Sequence, residues 1–328
     1  MSNSSTRVPV TTWNCFTTNP SALKIGKTVA YCVIIFGSLV GNSLIVTIVY
    51  KNKRMRRPIN FFIVNMATSD LLYPTFLLPI HLTHLYNESW FIDGLPGRAL
   101  CKLRALLERV SIDVSILSLI LIAAERCSRV VFPLHSPFFT TKRSGLCILA
   151  IWIVAIAATV PGLLAFKLRS DKGQLLCRWS WNETSGESLS ENNYLLVTYV
   201  VFIYTPTALL TILYSFIIFK HYRVDFLGQQ VSNDEVLRAR VQQNRNVLWF
   251  ATVVIVLGCI LCLVPITVLN LLRRFAWKRR PLGCRIKLCS LIFDFLAFSH
   301  CAVNPCVCFT LNRSFRRGLK KLTSSSVN

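Results

Sequence analysis

CKLRALLERVSIDVSILSLILIAAER, running from Cys101 to Arg126, is the stretch that decides how the rest of the chain is read. It is mostly apolar, yet it carries Glu108, Arg109, Ser111, Asp113, Ser115 and Ser118, and it ends on Glu125-Arg126. An α-helix turns about 100° per residue. Counted from Cys101, the residues Glu108, Ser115 and Arg126 then fall within about 40° of one line, so these polar groups share a stripe. At about 1.5 Å per residue the stretch spans about 37 Å, enough to cross a hydrocarbon core of about 30 Å. A membrane helix turns such a seam toward protein or water, not lipid. The stretch therefore predicts a helix surrounded by other helices.

The rest of the chain supplies those neighbours. Of 328 residues, 53% are hydrophobic and only 16% charged, less charge than a soluble chain of this size carries. Residues 28–50, 145–166, 192–219 and 247–272 hold no charge, while 59–85 and 288–311 hold one acid each, Asp70 and Asp294. With the opening stretch these make seven spans of membrane length. The expected fold is an all-α membrane protein: residues 1–27 as a tail, 28–311 as a seven-helix bundle, and 312–328 as a short amphipathic eighth helix with a terminal tail. No room is left for a second folded domain. The net charge of +23 does not point to nucleic acid, because the basic residues sit in short loops and no recognition helix, zinc-finger spacing or aromatic RNA platform is present. Residues 1–27 lack the order of a cleaved signal peptide, so the first span is expected to direct insertion.

Several polar residues inside the spans need partners. Asn42, in Gly41-Asn42-Ser43, reads as a clamp between helices, since an unpaired amide is costly at that depth. Asp70 near mid-membrane costs roughly 2.5–3.5 kcal/mol and needs a proton, a cation or a polar cage. Pro206 and Pro265 lie inside the fifth and sixth spans and loosen them; Tyr214 follows Pro206 by two turns. The fourth span centres on Trp152 and is expected to end near Pro161, followed by a long polar loop. Trp90-Phe91 reads as an interfacial anchor. Cys259-x-x-Cys262 has metal spacing, but inside an apolar helix it reads as small buried residues. The segment from Phe309 to Leu322 gathers Phe309, Leu311, Phe315, Leu319 and Leu322 beside Arg316, Arg317, Lys320 and Lys321, the pattern of a basic helix lying on a membrane surface.

Orientation is not decided by basic residues, which divide 19 against 18 between the two sides. The glycosylation sequons at Asn3, Asn87 and Asn182 all fall on one side. Cys101 and Cys177 fall there too, where oxidation is possible. That side, with the N-terminus, is therefore expected to be extracellular; a fourth sequon at Asn312 lies on the other side.

Taken in order, these residues resemble the rhodopsin-like (class A) G protein-coupled receptors over residues 28–322. The likeness rests on Gly41-Asn42, the Asp70 motif, Cys101 with Cys177, Glu125-Arg126-Cys127, Trp152, Pro206 with Tyr214, Cys262-Leu263-Val264-Pro265, Asn304-Pro305 and Phe315-Arg316. Any one is weak; one per span in sequence is specific. The resemblance implies a disulfide between Cys101 and Cys177. It also implies a polar network of Asp70, Ser115, Asn304 and Asn42, with Asp70 and Ser115 as ligands of an allosteric sodium ion and no other cofactor. A hydrogen-bonded Asp70 without an ion is the competing reading. The resemblance further makes Arg126 the residue a heterotrimeric G protein competes for, with Glu125 as its adjacent ion pair and Tyr214 and Pro265 as further parts of the switch. Three positions depart from the family: Leu263 stands where a Trp is usual, Cys308 where a Tyr is usual, and Cys127 where an aromatic is usual. Switching must therefore use other side chains or be altered.

The ligand site expected from this reading is lined by Glu108, Arg109, Ile112 and Asp294. Two acids facing one cavity suit a cationic ligand group. Intrahelical pairing is the alternative: Arg104 with Glu108 and Arg109 with Asp113 are i,i+4 pairs, and pairing is the favoured reading for Asp113. Asp294 has no basic residue four positions away. Phe298 stands where a light receptor needs a lysine, so photoreception is not expected. A glycosylated outer loop and a rim of seven basic residues resemble neuropeptide receptors; the rim could attract acidic peptide segments or meet lipid headgroups. Cys15 and Cys284 could form a second disulfide. Internal repeats of a transporter and the nucleophile–base pair of an enzyme are both missing. The expected function is a plasma-membrane receptor for an extracellular ligand, a peptide, that activates a G protein. The alternatives are a small cationic or lipid-like ligand, or a decoy receptor that couples weakly.

Overall fold

A computed structural model of the chain describes residues 20–87, 89–132, 138–171, 173–181, 191–231, 258, 260–277 and 283–325. Helix α1 covers Pro20–Lys51, beginning eight residues before the charge-free stretch. Its end leads into a short 3-10 turn, Lys53–Met55, where the Asn52 side chain accepts from the Arg54 N–H. Pro58 opens α2, where a missing N–H costs no helical bond. This helix runs from Pro58–Leu72 through a wide π-type turn, Tyr73–Leu77, into Leu78–Tyr86. Pro74 lies in that turn, where it cannot donate and the ladder re-registers.

Helix α3, Gly94–Val131, is the central strut. It starts a full two turns before Cys101, with the Asp93 carboxylate accepting from the Gly94 N–H at 2.6 Å. Helix α4, Thr141–Ala165, passes through Pro161 instead of ending there. The segment after it, expected as an irregular loop, contains an antiparallel hairpin of β1, Phe166–Asp171, and β2, Gln174–Trp179. Its turn uses Gly173 at φ +79°, a conformation that disfavours side chains.

Helix α5 runs Glu191–Tyr199, widens at Val200–Tyr204 just before Pro206, and continues as Thr205–Val231. Helix α6 covers 260–271 and widens again at Leu272–Ala276. Helix α7 is Cys284–Leu311 with Pro305 inside it. The chain breaks at Asn312, and α8, Arg313–Ser325, follows. Phe309 and Leu311, expected in the surface helix, belong to α7 instead.

Packing inverts the arrangement of a water-soluble protein. Phe36, Val33, Leu146 and Ile212 point outward, while Ser38, Asn42, Asp70, Ser115, Ser118 and Glu125 are buried. Apolar side chains facing out cost nothing in lipid, and polar atoms must be satisfied within the bundle. Among the described residues, five helices are long and apolar enough to cross a membrane. Helix α3 carries Glu108, Arg109, Asp113, Glu125 and Arg126 along its length, and α6 is described only in part.

Helix α3 packs on α2, α4, α5 and β1, while α1 packs on α2, α7 and α8. Two glycines set the last contacts. A Cβ on Gly41 would lie 2.6 Å from Cβ of Pro305, and one on Gly318 would lie 2.5 Å from Cγ2 of Ile48. At the α8 end a continuous core joins Ile45, Phe62, Leu119, Ile122, Leu210, Tyr214 and Phe315. Trp90 is not an interfacial anchor: it is buried, stacked on Phe91, and its backbone N–H donates to the Leu175 carbonyl of the hairpin.

Candidate functional site

At the hairpin end, a disulfide joins Cys101 on α3 to Cys177 on β2, with Cα atoms 5.8 Å apart. The Ser89 hydroxyl accepts from the Leu175 N–H at 2.9 Å, which holds the same strand against the α2–α3 connection. The hairpin is thus fastened as a roof. Beneath it lies a cavity of about 390 Å³, within the range of ligand sites. Arg104, Glu108, Arg109 and Ile112 line it from α3, Asp294 and Phe298 from α7, and Leu263 and Asn270 from α6. All four residues expected in the ligand site therefore meet in one cavity.

Their charges are not equally free. Arg104 Nη2 lies 3.4 Å from Glu108 Oε2, so the intrahelical pair forms while Glu108 still faces the cavity. Arg109 Nε lies 2.9 Å from Asp113 Oδ2, and Asp113 is fully buried, as the pairing reading expected. The Arg109 guanidinium also donates to the Thr198 carbonyl at 3.3 Å and lies over the Tyr199 and Phe202 rings. Asp294 forms no salt bridge among the described residues. It stands within electrostatic range of Glu108, Arg273 and Lys27.

The outer ends of α5 and α6 are joined by contacts that sequence reading missed. Arg274 pairs with Glu191 and donates to Asn192 Oδ1 at 2.6 Å, and the Trp179 indole donates to Glu191 Oε1 at 2.8 Å. Deeper in the bundle, Tyr204 and Thr267 hydroxyls are 3.1 Å apart. Arg274 reads in sequence as one of a run of rim cations, so nothing singled it out.

Below the cavity, Asn304 Nδ2 donates to Asp70 Oδ2 at 2.7 Å and to Ser115 Oγ at 3.3 Å. Asn42 is the expected clamp, but its bonds go to the Ser38 and Cys301 carbonyls at 3.0 and 2.9 Å, not to Asp70. A second bridge was also missed: the Trp152 indole donates to Asn65 Oδ1, and Asn65 Nδ2 donates to Ser118 Oγ, both at 2.9 Å. A polar amide in the second apolar span and an indole in the fourth were the available signal.

At the α8 end, Glu125 pairs with Arg129, not with Arg126. The expected adjacent pair is thereby corrected. Residues four apart lie on one helical face, whereas neighbours diverge by about 100°. Arg126 instead lines a groove of about 950 Å³. Tyr214 is buried in the core beside it, and Pro265 sits in α6 two residues before Thr267.

The family described as 7 transmembrane receptor (rhodopsin family) matches residues 41–307. The chain belongs to the rhodopsin family of seven-transmembrane receptors. It is 28% identical to a QRFP-like peptide receptor of Branchiostoma floridae, over 92% of this chain and 78% of that one. It is 27% identical to the substance-K receptor of Homo sapiens, over 89% and 71%. It is 26% identical to bombesin receptor subtype-3 of Ovis aries, over 89% and 73%.

The receptor is accordingly a multi-pass membrane protein and not an enzyme. Two of its departures from the family now have places: Leu263 is buried at the floor of the cavity, and Cys308 packs on the core at the α8 end. Of the sequons, Asn87 caps the end of α2 and is exposed. Asn3 and Asn182 lie outside the described residues, as do Cys15 and Cys259, and with Cys15 the proposed pairing to Cys284.

Proposed function

We propose that the receptor sits in the plasma membrane with its N-terminus outside, binds a neuropeptide-type ligand there, and activates a heterotrimeric G protein at its inner end. The observation that carries this reading is Asp294. It faces the same cavity as Glu108, from the opposite helix, with no ion pair of its own among the described residues. A cationic peptide group entering under the hairpin gains both acids, and the disulfide-fastened roof gives the remainder of the peptide a surface. The relatives named above as receptors for peptides support a peptide over a small amine. The orientation is supported by the disulfide and the Asn87 sequon at one end, since disulfides persist in oxidising compartments.

Transmission needs a ligand that prefers the active arrangement. Arg126, open to the inner groove, is the group assigned to the G protein. A sodium ion fits the centre in part: Asp70 and Ser115 offer oxygens, while the Asn304 amide already donates to both. Bound there, the ion would neutralise Asp70 and favour the resting bundle. Replacing sodium by choline should then raise agonist affinity in the native receptor and not in Asp70→Asn; equal effects would remove the ion. A decoy role is the second reading, favoured by Leu263 at the cavity floor. The test of both is a peptide-library screen on cells expressing the receptor with a promiscuous G protein. Signalling hits support coupling; surface binding without signal supports the decoy.

A further inference from the structure

Tyr73 opens the wide turn of α2, Tyr73–Leu77, a form of helix that recurs at functional sites. Its side chain is buried and packs on Phe298 of α7, with ring centroids 5.4 Å apart. It lines the cavity under the hairpin. Its hydroxyl, shielded from solvent, meets no hydrogen-bond partner among the described residues. Arg104 lines the same cavity from α3 and repeats the pattern. Its Nη2 reaches Glu108, while its Nε–H is shielded from solvent and has no acceptor among the described residues. The two side chains stand within electrostatic range of each other. Buried polar groups in folded proteins are almost always paired. Two bare donors on neighbouring helices, facing one cavity, leave an acceptor to be supplied.

We infer that Tyr73 Oη and Arg104 Nε hold the carbonyl oxygen of a neutral amide on the ligand, beside the acids that take its cation. Tyr73 is thereby a specificity-determining residue. The inference rests on the reading of Glu108 and Asp294 given above and adds a second pole to it. A carbonyl oxygen has two lone pairs and accepts from both donors at once. Charge decides for an amide over a carboxylate. Arg104 offsets Glu108 and Arg109 offsets Asp113, which leaves Asp294. Lys27 and Arg273 stand within range of Asp294 but do not line the cavity. One ligand cation balances that acid, whereas an added carboxylate restores an unbalanced charge away from water. Reach is short. Arg104 Nε belongs to the same guanidinium that meets Glu108, so one basic residue and its own amide span both poles within about 390 Å³. An ordered water between the two donors is the competing occupant.

The test uses full-length receptor in detergent and three small probes. Lysinamide carries both a cation and an amide. 1,5-Diaminopentane is the same diamine without the amide, and lysine has a carboxylate in its place. Dissociation constants come from the rise in melting temperature with probe concentration. Lysinamide is expected to bind about tenfold tighter than diaminopentane, and lysine no tighter than lysinamide. Tyr73→Phe removes only the hydroxyl. It is expected to take away most of the lysinamide advantage and leave diaminopentane affinity unchanged. The empty variant should melt no lower than the native receptor, because an unpaired buried hydroxyl is lost. Arg104→Lys, which keeps a charge beside Glu108 and removes the Nε–H, is expected to reduce the same advantage. Equal binding of lysinamide and diaminopentane to the native receptor overturns the proposal, as does absence of lysinamide binding. A full advantage retained in Tyr73→Phe also overturns it, assigning the phenol to an ordered water. Tighter binding of lysine than of lysinamide overturns the neutral acceptor. Asp294→Asn tests the acids separately: diaminopentane should weaken there, and if it does not, the acid reading fails while the amide comparison still stands.

Discussion

Glu125 is paired with Arg129, one turn further along α3, and not with the adjacent Arg126. The carboxylate is buried while the Arg129 side chain is half exposed, so the pair is partly screened. A double-mutant cycle on thermal stability between Glu125→Gln and Arg129→Gln should give a coupling of about 0.5–1 kcal/mol. The cycle between Glu125→Gln and Arg126→Gln should give a coupling near zero. The opposite pattern would restore the adjacent pair. Basal signalling should rise with Glu125→Gln and rise similarly with Arg129→Gln.

Asp294 and Glu108 differ in how much they can give a ligand. Glu108 already meets Arg104 at 3.4 Å, whereas Asp294 has no ion pair among the described residues. Asp294→Asn should weaken a cationic peptide about tenfold, or about 1.4 kcal/mol, and Glu108→Gln should cost less. Competition binding with a screened peptide measures both, and equal affinity across the three proteins removes the acids from recognition.

The contact of Arg274 with Glu191 and Asn192 fastens α6 to α5 beside the cavity. Both charged side chains are largely shielded from solvent. Arg274→Gln should therefore speed amide exchange across residues 191–199, and loss of a charged hydrogen bond of this kind costs about 1.5–3 kcal/mol. Exchange unchanged from the native receptor would show that the ends of α5 and α6 are held by other contacts.

Gly41 leaves no space for a side chain. A Cβ there meets the Pro305 ring at 2.6 Å, so α1 and α7 must separate. Gly41→Ala should lower stability by about 1–3 kcal/mol, read as a lower melting temperature in detergent. Gly26→Ala, where a Cβ meets nothing within 4 Å, is the matched control.

The seven spans were legible because long charge-poor stretches have few alternatives in a chain with little charge. Asp70, Ser115 and Asn304 were legible as a group through their order in the chain, and the structure brings them together. The i,i+4 spacing of Glu125 and Arg129 was equally visible, and the spacing rule outweighs adjacency in the sequence. The wide turns at Tyr73–Leu77 and Val200–Tyr204 leave the apolar pattern unbroken, so periodicity passes over them, while the one at Leu272–Ala276 falls where Arg273-Arg274 already end the apolar span. The hairpin was hidden because Phe166, Lys167, Leu168 and Arg169 alternate over four residues only, before Ser170-Asp171, and the run Leu175-Leu176-Cys177 on the second strand does not alternate. Its roof over Trp90 is what turned an expected interfacial ring into a buried one.

The central claim is that α3 carries a signal from the cavity at Glu108 to a G protein at Arg126. The most direct measurement is agonist-stimulated G-protein activation by Arg126→Ala beside its surface expression and peptide binding. The account predicts expression and binding retained and activation abolished. Full activation by Arg126→Ala would contradict it.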